Sequence, residues 1–96
     1  MKRIYISGAI TGTTDYMERF AAAEQKLTAE GYSVVNPAKV NAMMPEDMTW
    51  EEYMQMSYTM LDLCDSIYML KGWQQSRGAR NENLIAFANG YKIIEE

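Results

Sequence analysis

The sequence contains no histidine, one cysteine and only two prolines. Without histidine, the chain has no base for Ser-His-Asp or Cys-His catalysis and lacks the usual ligand of zinc and iron sites. Acid–base chemistry therefore falls to Asp, Glu, Tyr, Lys or Cys. The lone Cys64 excludes an internal disulfide and is typical of a protein from the reducing cytoplasm. We accordingly expect a cytoplasmic protein that uses neither a metal nor a cofactor.

Basic clusters and long apolar runs are also missing. The formal net charge is −4, and binding to a nucleic acid polymer needs clustered Lys and Arg. No apolar run approaches the length that spans a membrane. Residues 1–6 form a run too short for a signal peptide. The expected partner is therefore a small molecule, and neither a nucleic acid polymer nor a membrane.

The 96 residues are expected to form one domain, residues 1–96, near the lower size limit for a self-sufficient core. A chain this short covers a sheet poorly, so we also expect a homodimer or a larger homo-oligomer.

Hydrophobic spacing and turn residues predict strands that alternate with helices. The predicted strands are residues 3–7, 33–35, 65–70 and 91–94. The predicted helices run from Thr14 or Asp15 to about Glu30, from Thr49, with Glu52 completing a capping box, and from Gly78 to about Asn89. Residues 38–48 are expected to form a loop with room for one helical turn. This order indicates a small doubly wound parallel sheet of four to five strands with helices on both faces, a flavodoxin- or Rossmann-like α/β fold.

The most informative residue is Glu82. It follows a strand and a Ser-x-Gly turn that contains Ser76 and Gly78. The start of a helix after such a turn binds anions through free N–H groups and the helix dipole. Helical spacing places Glu82 on one face with Ala79 and Ala86, so we expect its side chain to be buried beside this turn. The alternative is that Ser76 simply caps the helix and Glu82 is exposed.

The other candidate ligand contacts each have an ordinary structural alternative. Gly8 and Gly12 follow the first strand, but the full G-x-G-x-x-G fingerprint is missing, and both can be turn glycines. Trp73 lies in the loop beside the Ser-x-Gly turn, so it is the better candidate to stack on a base. Trp50 is expected to pack in the core.

Several motifs together resemble one family. They are residues 5–12 (YISGAITG), residues 64–70 (CDSIYML) and the Ser-x-Gly-Ala-x-x-Glu motif of residues 76–82. These are similar to the nucleoside 2-deoxyribosyltransferase superfamily, which includes the 2′-deoxynucleoside 5′-phosphate N-hydrolases. Asn36-Pro37, residues 50–54 (WEEYM) and residues 72–79 resemble a short branch found in phage and bacterial genomes.

The resemblance implies cleavage of the N-glycosidic bond of a (deoxy)nucleoside or its 5′-monophosphate, by hydrolysis or by transfer of the sugar. It implies that Glu82 is the nucleophile and that Tyr5 orients it. Asp65 matches the family's strand-end aspartate, and we include it among the catalytic candidates. The expected substrate contacts are Ser7, Gly8, Ile10, Gly12, Ser57, Trp73, Ser76, Gly78 and Ala79.

Ser57 is where the chain departs from the family pattern, because family members carry an aspartate there as the general acid for the leaving base. A serine cannot supply that proton as a carboxylic acid does. Asp62 lies about 140° from Ser57 around the helix, so it is not a replacement. The sequence thus leaves three alternatives: a slow N-glycosidase, one with another acid (such as a partner subunit's), or a nucleotide-binding module without catalysis.

Overall fold

A four-stranded parallel sheet forms the centre of the computed structural model, which describes residues 2–10 and 12–96. Its strands are β1 (Arg3–Ser7), β2 (Ser33–Val35), β3 (Ser66–Met69) and β4 (Lys92–Glu95). They lie in the order β2-β1-β3-β4, and every neighbouring pair is parallel. The predicted fold class is therefore confirmed.

Four α-helices connect the strands: α1 (Tyr16–Ala29), α2 (Pro37–Ala42), α3 (Trp50–Asp62) and α4 (Arg77–Ala88). The capping box predicted at the start of α3 is present, with Thr49 and Glu52 bonded to each other's backbone. The helical turn allowed for in residues 38–48 is present as α2, which begins at Pro37 and, with six residues, is somewhat longer than one turn. Asn36 caps this helix by accepting a hydrogen bond from the Ala38 N–H, and Pro37 supplies a preset φ angle at the first position.

Alternation along β1 divides its side chains between the two faces of the sheet. Ile4 and Ile6 are fully buried in a cluster with Phe20 and Leu27 of α1. Tyr5 faces the opposite cluster, which contains Leu61 of α3 and Ala79 of α4. Helices therefore cover both faces, and odd-numbered residues of β1 face α3 and α4.

The strand order reverses beside β1, since the chain first adds β2 on one side of β1 and then crosses back through α2 and α3 to β3 on the other. The chain goes from β1 through α1 to β2 on one side, while β3 and β4 lie on the other side. In open α/β sheets this reversal opens a crevice between the loops, and ligands bind there. The expected site therefore lies where β1 and β3 end.

None of the helices in residues 2–10 and 12–96 is long and apolar enough to cross a membrane.

Gly8 is fixed by close packing at this edge, since a Cβ atom there would lie 2.8 Å from Leu70 Cδ1 and 2.9 Å from Leu70 Cβ. We predict that Gly8→Ala lowers the free energy of unfolding by about 1–3 kcal/mol, the usual cost of overpacking. Urea unfolding measures this change.

Gly78→Ala is the matched control. Its added Cβ would meet Met54 Sδ at 3.0 Å, an atom of a flexible side chain. Alanine also gains up to about 1 kcal/mol of helix propensity over glycine, so we expect little net change. Equal losses in the two variants would contradict the packing argument.

Candidate active site

Glu82 lies on the buried face of α4, as the helical spacing predicts. It shares that face with Gly78, Ala79 and Ala86, and only 5% of its surface is exposed. The small residues on this face let α4 approach the sheet closely. The carboxylate is thereby carried to the side chains of β1.

Two hydroxyl groups of β1 hold the carboxylate. Tyr5 Oη donates a hydrogen bond to Glu82 Oε2 over 2.6 Å, and Ser7 Oγ donates one to Oε1 over 2.6 Å. Tyr5 and Ser7 are two residues apart on a strand, so both side chains lie on the same face of the sheet. Each carboxylate oxygen is therefore fixed by one donor and keeps a free lone pair.

Burial dominates the electrostatics of this group. It raises the pKa of Glu82 from 4.5 to about 7, and the hydrogen bonds from Ser7 and Tyr5 offset part of that rise. Burial and then the negative charge of Glu82 raise the pKa of Tyr5 well above its usual value, while the neighbouring Ser57 hydroxyl lowers it. Tyr5 thus stays protonated as a donor, and Glu82 titrates near neutral pH.

A pocket of about 230 Å³ opens beside the carboxylate. Its wall contains five aromatic side chains, from Tyr5, Tyr16, Phe20, Trp50 and Tyr53. Among the described residues that line it, Glu82 is the only one with a charged side chain. A concave site with apolar walls and a few polar groups is the usual form of a small-molecule site.

The first turn of α4 forms the rim of this pocket. Ser76 Oγ accepts a hydrogen bond from the Ala79 N–H over 3.2 Å, so Ser76 is the N-cap. The first N–H groups of a helix have no acceptor inside the helix and carry the positive end of its dipole. The Arg77 guanidinium lies 4.3 Å from the centre of the Trp50 ring. The rim is therefore electropositive, whereas the depth of the pocket holds a carboxylate.

One buried polar atom of the pocket wall is unpaired. Asn41 lines the pocket, and its Oδ1 atom has no hydrogen-bond donor within residues 2–10 and 12–96. An unpaired buried acceptor is costly, and this atom has almost no accessible surface, so a ligand in the pocket would reach it only after the side chain moved.

Comparison with protein families matches residues 2–95 to the family described as a domain of unknown function, DUF4406. The chain belongs to the DUF4406 family. Comparison with curated proteins gave no match.

Among solved structures, this DUF4406 chain is similar to the 2-deoxyribosyltransferase of the psychrotolerant bacterium Bacillus psychrosaccharolyticus. That protein is described as a biocatalyst for the synthesis of antiviral and antitumoral nucleosides. The TM-score is 0.78 at 15% identity, and the match covers 97% of this chain and 70% of that one. The resemblance read from the sequence is thus confirmed at the level of the fold.

Most of the residues expected at the site do come together in the DUF4406 structure. Those that line the pocket are Tyr5, Gly8, Ile10, Ser57, Ser76, Gly78, Ala79 and Glu82. Ser7 lies behind the carboxylate and is only 1% exposed, so it holds Glu82 without lining the pocket. Gly12, which has a φ of 82°, is not among the described lining residues.

The structure corrects the placement of Asp65 as a catalytic candidate. Asp65 precedes β3, and its Oδ1 accepts hydrogen bonds from the Arg3 N–H and the Ser66 hydroxyl. These partners lie where β1 and β3 begin, and the pocket lies where the strands end. Asp65 therefore ties the amino edge of the sheet together and does not reach the pocket.

The two tryptophans lie opposite to expectation, with Trp50 at the pocket and Trp73 away from it. Trp73 packs against the cluster on the α3–α4 face, and its Nε1 donates to Glu95 Oε1 over 3.3 Å, so it lies toward β4 and outside the pocket. Gly72, with a φ of 86°, turns the chain in that direction. Trp50, expected in the core, lines the pocket instead.

Besides Trp50, seven of the lining residues were not expected at the site: Ile6, Tyr16, Phe20, Pro37, Asn41, Tyr53 and Met54. The three aromatic residues belong to apolar helix stripes. They could have been identified from their positions, because each lies near the start of a helix, at the carboxyl edge of the sheet. Asn41 belongs to α2, which the sequence analysis left as a loop with room for one helical turn.

Stability of this DUF4406 protein should depend on pH through Glu82. Its folded pKa is raised, so the folded state binds one proton more than the unfolded state between pH 4.5 and about 7. Stability is highest below the unfolded pKa and falls as pH rises through that range, by about 3 kcal/mol. We predict that Glu82→Gln, which cannot ionise, removes this loss.

Thermal unfolding of both proteins across this pH range measures the difference. The melting temperature of the variant, relative to that of the natural protein, should increase steadily as pH rises. If the stabilities of the two proteins depended on pH in the same way, the pKa of Glu82 would not be raised in the folded chain.

Proposed function

We propose that this protein cleaves the N-glycosidic bond of (deoxy)nucleosides or their 5′-monophosphates, with Glu82 as the nucleophile. The observation that carries the proposal is the Glu82 carboxylate itself. It is buried, held at both oxygens by Tyr5 and Ser7, and lines a small pocket at the carboxyl edge of the sheet. A carboxylate in that setting can stabilise an oxocarbenium-like sugar and bond to it.

In the proposed reaction, a free lone pair of a Glu82 oxygen attacks the anomeric carbon as the base departs. Tyr5 and Ser7 keep the carboxylate in one orientation. The entropy cost of orienting it is therefore met before the reaction and does not add to the barrier. Water, or a second base, then attacks the same carbon and releases the carboxylate. Hydrolysis and sugar transfer differ only in this second step.

The start of α4 supports a substrate that carries a 5′-phosphate. Ser76 and Gly78 line the pocket at the first turn of a twelve-residue helix, where free N–H groups and the dipole favour an anion. Phosphate held at this rim would place the sugar between the helix end and Glu82. The fold likeness to a 2-deoxyribosyltransferase, described for the synthesis of nucleosides, supports a nucleoside-type substrate and does not bear on the phosphate.

A second candidate function is nucleotide binding without turnover. It is favoured by Ser57, which is 5% exposed and lines the pocket where the resemblance expects an acidic residue. Such a module would be stabilised by its ligand by RT ln(1 + [L]/Kd), with no product formed. Homo-oligomerisation, expected from the small size of the chain, stays a prediction.

Base release from the four deoxynucleoside monophosphates and their nucleosides tests the enzyme proposal. We predict that Glu82→Ala lowers the rate at least about a thousandfold, because the bond-forming group is lost. The control is Glu46→Ala, which removes an exposed carboxylate from a loop and should keep the natural rate. Stabilisation by nucleotide in a thermal shift, with no base released by any protein, would favour the binding module.

Restoring an acid at position 57 tests whether the missing proton limits the rate. We predict that Ser57→Asp raises base release from 2′-deoxyguanosine monophosphate by about 10² to 10⁴, the usual worth of general acid catalysis. Ser57→Asn is the matched variant, with the same shape and no acidic proton. An aspartate variant no faster than the asparagine variant would show that the proton comes from elsewhere.

A further inference from the structure

Among its described lining residues, the pocket contains only one carboxyl group, whereas cleavage of an N-glycosidic bond usually needs a nucleophile and a separate acid for the departing base. All 13 acidic residues of the chain lie in the described segments 2–10 and 12–96, and Glu82 alone among them lines the pocket. The chain has no histidine, and no described Lys or Arg lines the pocket. If Glu82 attacks the sugar, no second carboxyl group of this chain is left to protonate the departing base.

The remaining hydroxyl groups are poor substitutes. Tyr5 Oη already donates a hydrogen bond to Glu82, and burial together with the Glu82 charge raises its pKa, so it is a weaker acid than an ordinary phenol. The other lining hydroxyls belong to serine and tyrosine side chains, which hold their protons more tightly than carboxylic acids do. An ordinary neutral base would therefore have to depart as an anion, which is slow.

A base that already carries a positive charge avoids this difficulty. When its bond to the anomeric carbon breaks, the electron pair moves onto the ring nitrogen and cancels the charge. The base then leaves as a neutral molecule, and no proton is needed. The pocket lacks a general acid, and a substrate with a cationic base does not require one.

The wall of the pocket suits a cationic ring. Five aromatic side chains line it, and the faces of aromatic rings attract cations. The Arg77 guanidinium lies 4.3 Å from the Trp50 ring centre but does not line the pocket, so the other aromatic rings of the wall would receive the base. A cation beside Glu82 also favours the ionised, nucleophilic form of the carboxylate.

We propose, on the basis of the function proposed above, that the preferred substrates are nucleoside 5′-monophosphates whose base is cationic. Two sources share this chemistry: pyridinium nucleotides such as nicotinamide mononucleotide, and purine nucleotides alkylated at N7. Both carry N–H groups on the base and a phosphate for the start of α4.

The reaction balances without a further reactant. A Glu82 oxygen forms a bond to C1′ while the C1′–N bond breaks, and its electron pair neutralises the base. Water then bonds to C1′, the C1′–O bond to Glu82 breaks, and the carboxylate is regenerated. The products are the neutral base, the sugar 5-phosphate and one proton released to solvent.

The test compares each cationic substrate with a neutral twin of the same shape. The pairs are N7-methyl-2′-deoxyguanosine monophosphate against 2′-deoxyguanosine monophosphate, and nicotinamide mononucleotide against its reduced form. After subtraction of the uncatalysed rate, we expect kcat/KM at least about 100-fold higher for the cationic member of a pair, since a site without a general acid forgoes about 10² or more on the neutral one. Turnover in only one pair supports the proposal and identifies the source.

The Ser57→Asp variant sharpens the comparison. It should accelerate the neutral substrates more than the cationic ones, because only the neutral bases need a proton to depart, so the ratio within each pair should fall. Ratios within about tenfold of one in the natural protein, with both members cleaved, would overturn this inference and leave the proposed function standing. Failure to release base from any substrate would overturn both.

Discussion

The two hydrogen bonds from β1 to Glu82 are the interaction on which the site depends. A buried carboxylate is costly unless its oxygens are paired, and Tyr5 and Ser7 pair one oxygen each over 2.6 Å. Those bonds require β1 at the centre of the sheet, with the small face of α4 packed against it. The strand order and the residues Gly78, Ala79 and Ala86 supply both conditions. The cost that remains is visible as the raised pKa of Glu82.

Much of this arrangement was readable from local sequence patterns. The interval of three residues from Ala79 to Glu82, and of four from Glu82 to Ala86, places all three on one helix face. The alternation of Tyr5 and Ser7 within a strand directs both hydroxyls the same way. The Thr49 capping box and the strand bounds Arg3–Ser7 also agree with the structure. These signals act within a few residues, so they survive without knowledge of the tertiary fold.

The features that were missed depend on where each element ends in space. Asp65 looked catalytic by motif, but it precedes its strand and therefore lies at the far edge of the sheet from the pocket. Trp73 was misplaced because its side chain packs toward β4 and bonds Glu95, and Trp50 was misplaced because the start of α3 lies at the pocket. Asn41 was hidden because helix α2 rests on a single Asn-Pro cap. Tertiary packing, which no local period encodes, sets all three.

The most direct test of the central claim is to trap the sugar on the protein. A nucleoside monophosphate with an electron-withdrawing fluorine at the 2′ carbon and a good leaving base should accumulate the glycosyl-enzyme, because the fluorine slows both steps and the good leaving group restores only the first. Mass spectrometry of the digested protein should then find the sugar phosphate on the peptide containing Glu82, and on no peptide of Glu82→Gln. Base release without such an adduct, or an adduct on another residue, would contradict Glu82 as the nucleophile.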